Sequence, residues 1–520
     1  MRVDATYPNG SIDIYPARES GITVTFQHQN ANLDLGQSVP WRDGRLCVDL
    51  PGVHLGGERL LNQPRTSSTR MLWHCERAQE WLRCAATDSL VKNGEVFEPP
   101  QYKTINSDVR IFYNEDKSTL ARWRPLYGKC GRAELIALRA DACFVGQIED
   151  VLGGSFAPRW GTAIIGSEKR RPAFWIACGD LLMVGPHGAP YTWDDLRASA
   201  GRVGVDLDIH LRRITQRARG LNQESVLLIG QPIPETVGAP PSEMMWQALM
   251  MPELSRGHRP GFRDLEKSHW IIDRSQAFGG GKLIQWLQTD NVSESHMSVR
   301  GELSEPLRKG CVVILGCGSL GSALADQLVR MGARSLTLID PEQFEIENIR
   351  RHVLTMNQVG RSKAHALAKY LNSSGVFAEV IGLQARYPSA AVASELAKAD
   401  LVIDCTAEDI VLSRALTEGD RWCFSFSLGA NAEKLFAYGA RERWYDQTEY
   451  RKELEPFLAE TRAALSENPN LRYVGCSNPV FPSPWNRIVK HAGTAIEFMN
   501  RAVLTDGARQ ITTFSAKPTS

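Results

Sequence analysis

CVVILGCGSLGSALADQLVRMGARSLTLID, residues 311–340, is the stretch on which the reading of this chain turns. The apolar run Cys311-Val-Val-Ile-Leu315 predicts a buried strand, and Gly316, Gly318 and Gly321 then open a helix of mainly apolar periodicity. Glycines at this spacing let the backbone turn sharply and approach phosphate oxygens. The unpaired amides and the positive dipole end of the adjoining helix can hold those oxygens. A second strand at 335–339 ends in Asp340, whose carboxylate can accept both hydroxyls of a ribose. These residues predict a nucleotide-binding α/β unit. Alone they fit a nicotinamide or flavin enzyme equally well.

The residues beyond Asp340 narrow the choice. PEQFEIENIRRH (341–352) supplies Asn348 and Arg351, and VGRSKA (359–364) supplies Lys363 at the head of a helix predicted to reach Asn372. Hydride transfer has no use for these groups. Attack of a carboxylate on the α-phosphate of ATP does, because the negative charge that develops must be held by fixed cations and an amide donor. A third strand at 400–404 leads into Cys405-Thr406-Ala407-Glu408-Asp409, and Trp422-Cys-Phe-Ser425 predicts a further buried strand. A polar helical stretch covers 446–466, and Gly475-Cys476-Ser-Asn-Pro479-Val-Phe481 precedes a helix over 486–502.

In this order and spacing, residues 290–510 resemble the superfamily of ThiF, MoeB and the ubiquitin-activating enzymes. The Asn-x-x-Arg-His form points to its bacterial branch. The resemblance implies that the glycine loop holds nucleotide phosphate, Asp340 the ribose, Asn348 and Arg351 the triphosphate, and Lys363 the phosphate near the scissile bond. It implies ATP and Mg²⁺ as cofactors. The family usually has Asp where this chain has Ala407, which leaves Asp404 and Asp409, or Glu408, as the carboxylates for magnesium. The Gly-Cys-Ser-x-Pro-x-Phe segment resembles the catalytic-cysteine segment of bacterial activating enzymes, so Cys476 is expected to take the acyl group.

Length allows about three domains of roughly 150 residues each. Sixty basic residues against 59 acidic ones leave a formal charge of +1, which supports neither a nucleic acid nor a membrane surface as partner. No apolar run is long enough to cross a bilayer, and the first residues lack the apolar core of a signal peptide; a cytoplasmic protein is expected. The 11 cysteines include no Cys-x-x-Cys pair, so a paired-cysteine zinc site is not expected and most should be small core residues.

The amino-terminal hundred residues read as short strands at 12–14 and 21–26, the latter in clean alternation, forming an antiparallel sheet. A loop then delivers Cys47, and a helix from about Ser68 to Asn93 carries Leu72, Cys75, Ala78, Trp81, Leu82 and Ala85 on an apolar stripe, with Cys75 and Cys84 expected in the core. The motifs YP-x-G at Tyr7, TF-x-HQ at Thr25, W-x-x-G-x-LC at Trp41 and RA-x-x-WL-x-x-A at Arg77 resemble the ubiquitin-conjugating domains that bacteria fuse to activating domains. The resemblance implies that Cys47 carries a modifier as a thioester, which needs an accessible thiolate. It departs from the eukaryotic pattern at Ser38-Val-Pro40, where His-Pro-Asn is usual.

Between these regions, strands are predicted at 134–138, 173–177 and 225–229, and a helix at 241–251; the triple glycine at 279–281 reads as a turn. The expectation is an α/β chain of three parts: a ubiquitin-conjugating-like α+β domain over 1–104, a linker or inactive adenylation-like domain over 105–288, and a Rossmann-like ThiF adenylation domain over 289–520. The expected partners are a small ubiquitin-like β-grasp protein, a target protein, and a second copy of the chain through the adenylation domain. Bacterial fusions of this type accompany antiphage operons. A degenerate scaffold that presents a partner protein, and an adenylating sulfur-carrier enzyme, stay open as alternatives.

Overall fold

The amino-terminal segment is held by isolated backbone hydrogen bonds and by side chains that bond to its backbone, with little regular strand. Its one regular pairing among the described residues is two residues long, β1 (Arg2–Val3) antiparallel to β2 (Ile12–Asp13). The computed structural model describes residues 1–34, 38–48, 64, 66–104, 107–150, 153–221, 223–256, 265–299, 301, 303–408, 411, 421–429, 432–441, 452–456, 459, 483–505 and 509–515. No strand forms at 21–26 despite the alternation there. The Asn32 amide donates to the Ile22 and Val24 carbonyls at 2.8 and 2.9 Å, and the Phe26 N–H donates to Gln29 Oε1 at 2.9 Å. Backbone groups satisfied by a side chain need no ladder.

The first long helix, Ser67–Ala86, begins where the sequence predicts, stops short of Asn93, and turns Ala78, Trp81 and Ala85 of the predicted stripe inward, but with Arg70 and His74 in place of Leu72, Cys75 and Leu82. Arg70, His74 and Trp81 are buried, while Leu72 and Leu82 are 58% and 47% exposed. Cys75 is exposed and Cys84 half-buried, which overturns the expectation that both are core. The surface under this helix offers carbonyl oxygens. Arg70 donates to the Pro8 and Gly10 carbonyls, Arg77 Nε to Val48 O at 3.0 Å, and Trp81 Nε1 to His28 O at 3.2 Å. Donors therefore face inward, since a buried acceptor left unpaired is costly. Trp81 also packs on Leu46 and Val48 in a small core.

The middle of the chain builds one mixed sheet from β3 (Arg110–Tyr113), β4 (Lys129–Arg139), β5 (Ala142–Glu149), β6 (Ser155–Phe156), β7 (Arg170–Ala177), β8 (Val226–Ile233), β9 (Glu243–Met250) and β10 (Gln288–Asn291). The order is β10-β3-β5-β4-β7-β8-β9, with β6 beside β5. The strands predicted at 134–138 and 173–177 fall inside β4 and β7, and the one predicted at 225–229 overlaps β8 from Val226. The helix predicted at 241–251 is instead β9, paired antiparallel with β8 from Val226↔Met250 to Ile233↔Glu243. Residues 244–249 are all buried, and alternate side chains enter two cores: Leu249 joins Leu211 and Ile214 under the helix Leu207–Ala218, while Met244, Trp246 and Ala248 join Trp123 and Trp175. A short run buried on both faces carries no alternation by which to distinguish strand from helix.

Beyond residue 293 the chain forms β11 (Cys311–Leu315), β12 (Ser335–Ile339), β13 (Glu379–Leu383), β14 (Leu401–Asp404), β15 (Trp422–Leu428), β16 (Lys434–Ala440) and β17 (Gln510–Ser515). They lie in the order β13-β12-β11-β14-β15-β16-β17, parallel through β15 and antiparallel after it. The helices Ser319–Arg330, Lys363–Asn372 and Trp485–Ala502 pack around it with Leu324, Leu328, Leu367, Ile488 and Met499 in one core. The strands and helices predicted from residue 311 onward are in place where they fall on described residues. Strand order reverses at β11, with β12 on one side and β14 on the other. In such sheets, ligands sit at the carboxyl ends of the strands beside that reversal.

The chain divides into two compact units, Met1–Pro158 with Glu168–Ser293 and Arg159–Ser167 with Glu294–Ser520, so the amino-terminal and middle segments share one unit. Among the described residues, no helix is long and apolar enough to cross a membrane.

Candidate active site

The loop from β11 into the helix Ser319–Arg330 is held from several directions. Gly316 has φ +88°, a left-handed conformation that a side chain would strain. A Cβ at Gly321 would stand 2.0 Å from the Gly316 carbonyl oxygen, so only glycine fits where the helix turns back on the loop. Gly318 differs: a Cβ there would meet nothing within 4 Å, so the loop is open on that side.

Asp340, at the end of β12, is 5% exposed. Its Oδ2 accepts the Cys317 N–H at 2.7 Å and its Oδ1 the Glu342 N–H at 2.8 Å. Burial pushes its pKa up, against these two bonds, which favour the ionised form. A carboxylate has about four acceptor positions, so capacity for two hydroxyls is left.

Asn348 and Arg351 share the short 3₁₀ segment Ile346–Arg351. Asn348 is buried, and its Oδ1 accepts the Glu345 N–H at 3.0 Å, closing a capping box. Its amide nitrogen is thereby left as the donating end. Lys363 is the first residue of the helix Lys363–Asn372, and its side chain is only 8% exposed. Its Nζ lies 2.5 Å from the carboxylate of Glu342, itself 64% exposed. A lysine held this way can exchange an exposed carboxylate for a phosphate oxygen.

At the end of β14, Asp404 is 2% exposed. Its Oδ1 accepts the Thr406 N–H at 2.9 Å and Oγ1–H at 2.6 Å, and Oδ2 accepts the Ser425 hydroxyl at 2.9 Å. Burial pushes its pKa up, and the nearby Glu408 adds to that. Ala407 has φ +60°. Among the described residues, no group of three or more His, Cys, Asp or Glu could hold a metal ion. Magnesium needs only one or two protein carboxylates beside phosphates and water, and Asp404 keeps about one acceptor position beside its three hydrogen bonds. Asp409 lies outside the described residues, and so does Cys476.

Burial pushes the Cys317 and Cys405 thiols well above their ordinary range, which suits inert packing residues in this loop. In the other unit, Cys47 is half-buried between the buried Leu46 and Val48, and is in no disulfide. Its N–H donates to His28 O at 2.8 Å, next to the Gln29↔Leu46 bridge. Leu46, Val48 and Trp81 form the small core beside it.

Two further groups, neither given a role by the sequence, lie beside the expected site residues. Glu342 holds Lys363. His352 donates from Nε2 to the Cys317 carbonyl at 2.8 Å, and its Nδ1 accepts the Leu354 N–H at 3.1 Å. Glu342 could have been suspected only from its closeness in sequence to Asp340, whereas His352 closes the Asn-x-x-Arg-His form noted in the sequence, without a role attached to it.

Two segments of the chain are similar to known protein families. Residues 88–292 match the family described as Cap2 central linker domain, and residues 293–432 match the ThiF family. The chain is 28% identical over 516 residues to the ATP-dependent ubiquitin transferase-like protein Cap2 of Enterobacter hormaechei subsp. hoffmannii (strain UCI 50), covering 95% of this chain and 84% of that one. It is 30% identical over 122 residues to the molybdopterin-synthase adenylyltransferase of Escherichia coli (strain K12), covering 23% of this chain and 47% of that one. Among solved structures, E. coli MccB with succinimide is a distant likeness, at 16% identity and TM-score 0.28, covering 41% of this chain and 65% of that one.

Proposed function

We infer that this chain, a Cap2-like homologue in which a ThiF domain comes after a Cap2-type linker, uses ATP to activate the carboxyl terminus of a ubiquitin-like protein and passes it on as a thioester. The observation that supports the reading is a set of hydrogen bonds around the open glycine loop: Cys317 is bonded to Asp340, Asp340 to Glu342 and Glu342 to Lys363, while His352, next to Arg351, is bonded to the Cys317 carbonyl.

In the first step a carboxylate oxygen of the modifier attacks the α-phosphorus of ATP and pyrophosphate leaves. The Gly318 amide, the Asn348 amide, Arg351 and Lys363 hold the charge that develops. Asp340 takes the ribose. Magnesium would be held by Asp404 with Asp409 or Glu408, and would neutralise phosphate charge. The Cys476 thiolate then attacks the acyl carbonyl and AMP leaves. Cys47 receives the acyl group by thiol exchange, and a target amine attacks that thioester and frees the thiol.

In this scheme 1–104 is the conjugating part, 105–288 the linker and 289–520 the activating part, which also pairs two copies of the chain. The modifier is a β-grasp protein, and the setting is a cytoplasmic bacterial conjugation pathway of antiphage defence. ATP–pyrophosphate exchange by the purified chain tests the first step: exchange should appear only when a β-grasp protein ending in glycine is added. Binding of that partner without exchange would leave the scaffold reading in its place.

A further inference from the structure

We propose that His352 is a positioning residue for nucleotide phosphate: it fixes the peptide between Cys317 and Gly318 so that the Gly318 N–H faces the open side of the loop. The inference rests on the nucleotide site inferred above and adds to it a residue that touches no nucleotide.

The Cys317 residue is gripped at both of its backbone polar groups. Its N–H donates to Asp340 Oδ2 at 2.7 Å, and its carbonyl accepts from His352 Nε2 at 2.8 Å. A peptide unit is planar and trans, so its C=O and N–H point in opposite directions. Pinning the Cys317 carbonyl on the His352 side therefore sends the Gly318 N–H the other way. That is the side on which Gly318 has no protein atom within 4 Å of where a Cβ would stand. A donor that is already aimed loses little freedom when an anion arrives, and this is how a glycine loop in front of a helix gains affinity for phosphate.

The imidazole is itself held fast. The Leu354 N–H donates to Nδ1 at 3.1 Å, so Nδ1 carries no proton and Nε2 is the donor. The ring is 6% exposed and lies 5.0 Å from the Phe344 ring. Burial pushes its pKa down to about 4, so the ring stays neutral, with one donor and one acceptor, across ordinary pH. His352 directly follows Arg351 and stands 35 residues from Cys317. One ring thus links the loop that would hold one phosphate to the turn that would hold its neighbour.

The test uses the full chain with two variants. H352F keeps a flat ring against Phe344 and lacks both nitrogens; H352Q keeps a donor and an acceptor within reach of Cys317 and Leu354. Binding of ATP and of adenosine is measured for each by calorimetry. H352F should weaken ATP by about tenfold, the usual size of one lost hydrogen bond, and leave adenosine unchanged. H352Q should bind ATP as wild type does. A general packing defect would weaken both ligands equally, and that result overturns the proposal. So does an H352F chain that binds ATP as tightly as wild type, or an H352Q chain as weak as H352F. A wild-type chain that binds no ATP at all would instead sink the nucleotide-site reading on which the proposal stands.

Discussion

Glu115→Gln should make the middle sheet more stable, by an amount that grows as pH rises from about 4.5 to 7 and is full above that. Glu115 is 3% exposed beneath the tryptophan cluster, where one carboxylate oxygen accepts the Trp123 indole N–H at 2.9 Å and the Trp246 indole N–H at 3.1 Å. Burial pushes its pKa up from 4.5 to about 7, outweighing the hydrogen bonds from Thr119 and the two indoles, which favour the ionised form. Below pH 4.5 the carboxyl group is neutral in folded and unfolded chain alike, and the fold loses nothing. As pH rises toward 7 the unfolded chain ionises freely while the folded one resists, so stability falls; above 7 the full difference is lost. The gap between 4.5 and about 7, at about 1.4 kcal/mol per pH unit, amounts to about 3 kcal/mol. Glutamine keeps an oxygen for both indoles and has no proton to lose. Guanidinium unfolding followed by tryptophan fluorescence should therefore find E115Q equal to or slightly below wild type at pH 4 and above it by about 3 kcal/mol at pH 8.5. A difference that is the same at both pH values would refute the argument.

The remaining predictions concern the site. Gly321→Ala should abolish ATP binding, because the added Cβ would stand 2.0 Å from a backbone oxygen of the loop. Gly318→Ala has open space around it and should melt at the wild-type temperature while binding ATP more weakly; equal losses in melting and binding would contradict this. Lys363→Ala should slow pyrophosphate exchange by roughly 10- to 100-fold, the usual cost of one charge-assisted hydrogen bond, and unchanged exchange would remove Lys363 from the mechanism. With the modifier present, a reducible adduct should form on wild type and persist on Cys476 when Cys47 is changed to Ala. An adduct that needs neither cysteine would refute the relay.

The carboxyl-terminal unit was largely legible because its chemistry sits at fixed offsets: Gly316, Gly318, Gly321 and Asp340 announce strand, turn, helix and strand by residue type alone. The strand β9 was not. Methionine, alanine, leucine and glutamine favour helix locally, and burial on both faces removed the alternation that would have opposed it. The inward face of the helix Ser67–Ala86 was legible at Ala78, Trp81 and Ala85 but not in its first turns, where the partner is a set of backbone carbonyls, which sequence patterns do not reveal, and these draw in Arg70 while Leu72 stays outside. His352 and Glu342 act on a backbone carbonyl and on a lysine 21 residues away, contacts that only the folded chain brings together.

The central claim, attack of a carboxylate on the α-phosphorus, can be tested through the path of one oxygen atom. A β-grasp partner carrying ¹⁸O in its terminal carboxylate is mixed with ATP and the full chain, and the products are weighed by mass spectrometry. The account predicts label in AMP, because the oxygen that attacks phosphorus departs with it when the thiolate takes the acyl group, and none in pyrophosphate. Label in inorganic phosphate, with ADP as the nucleotide product, would contradict it.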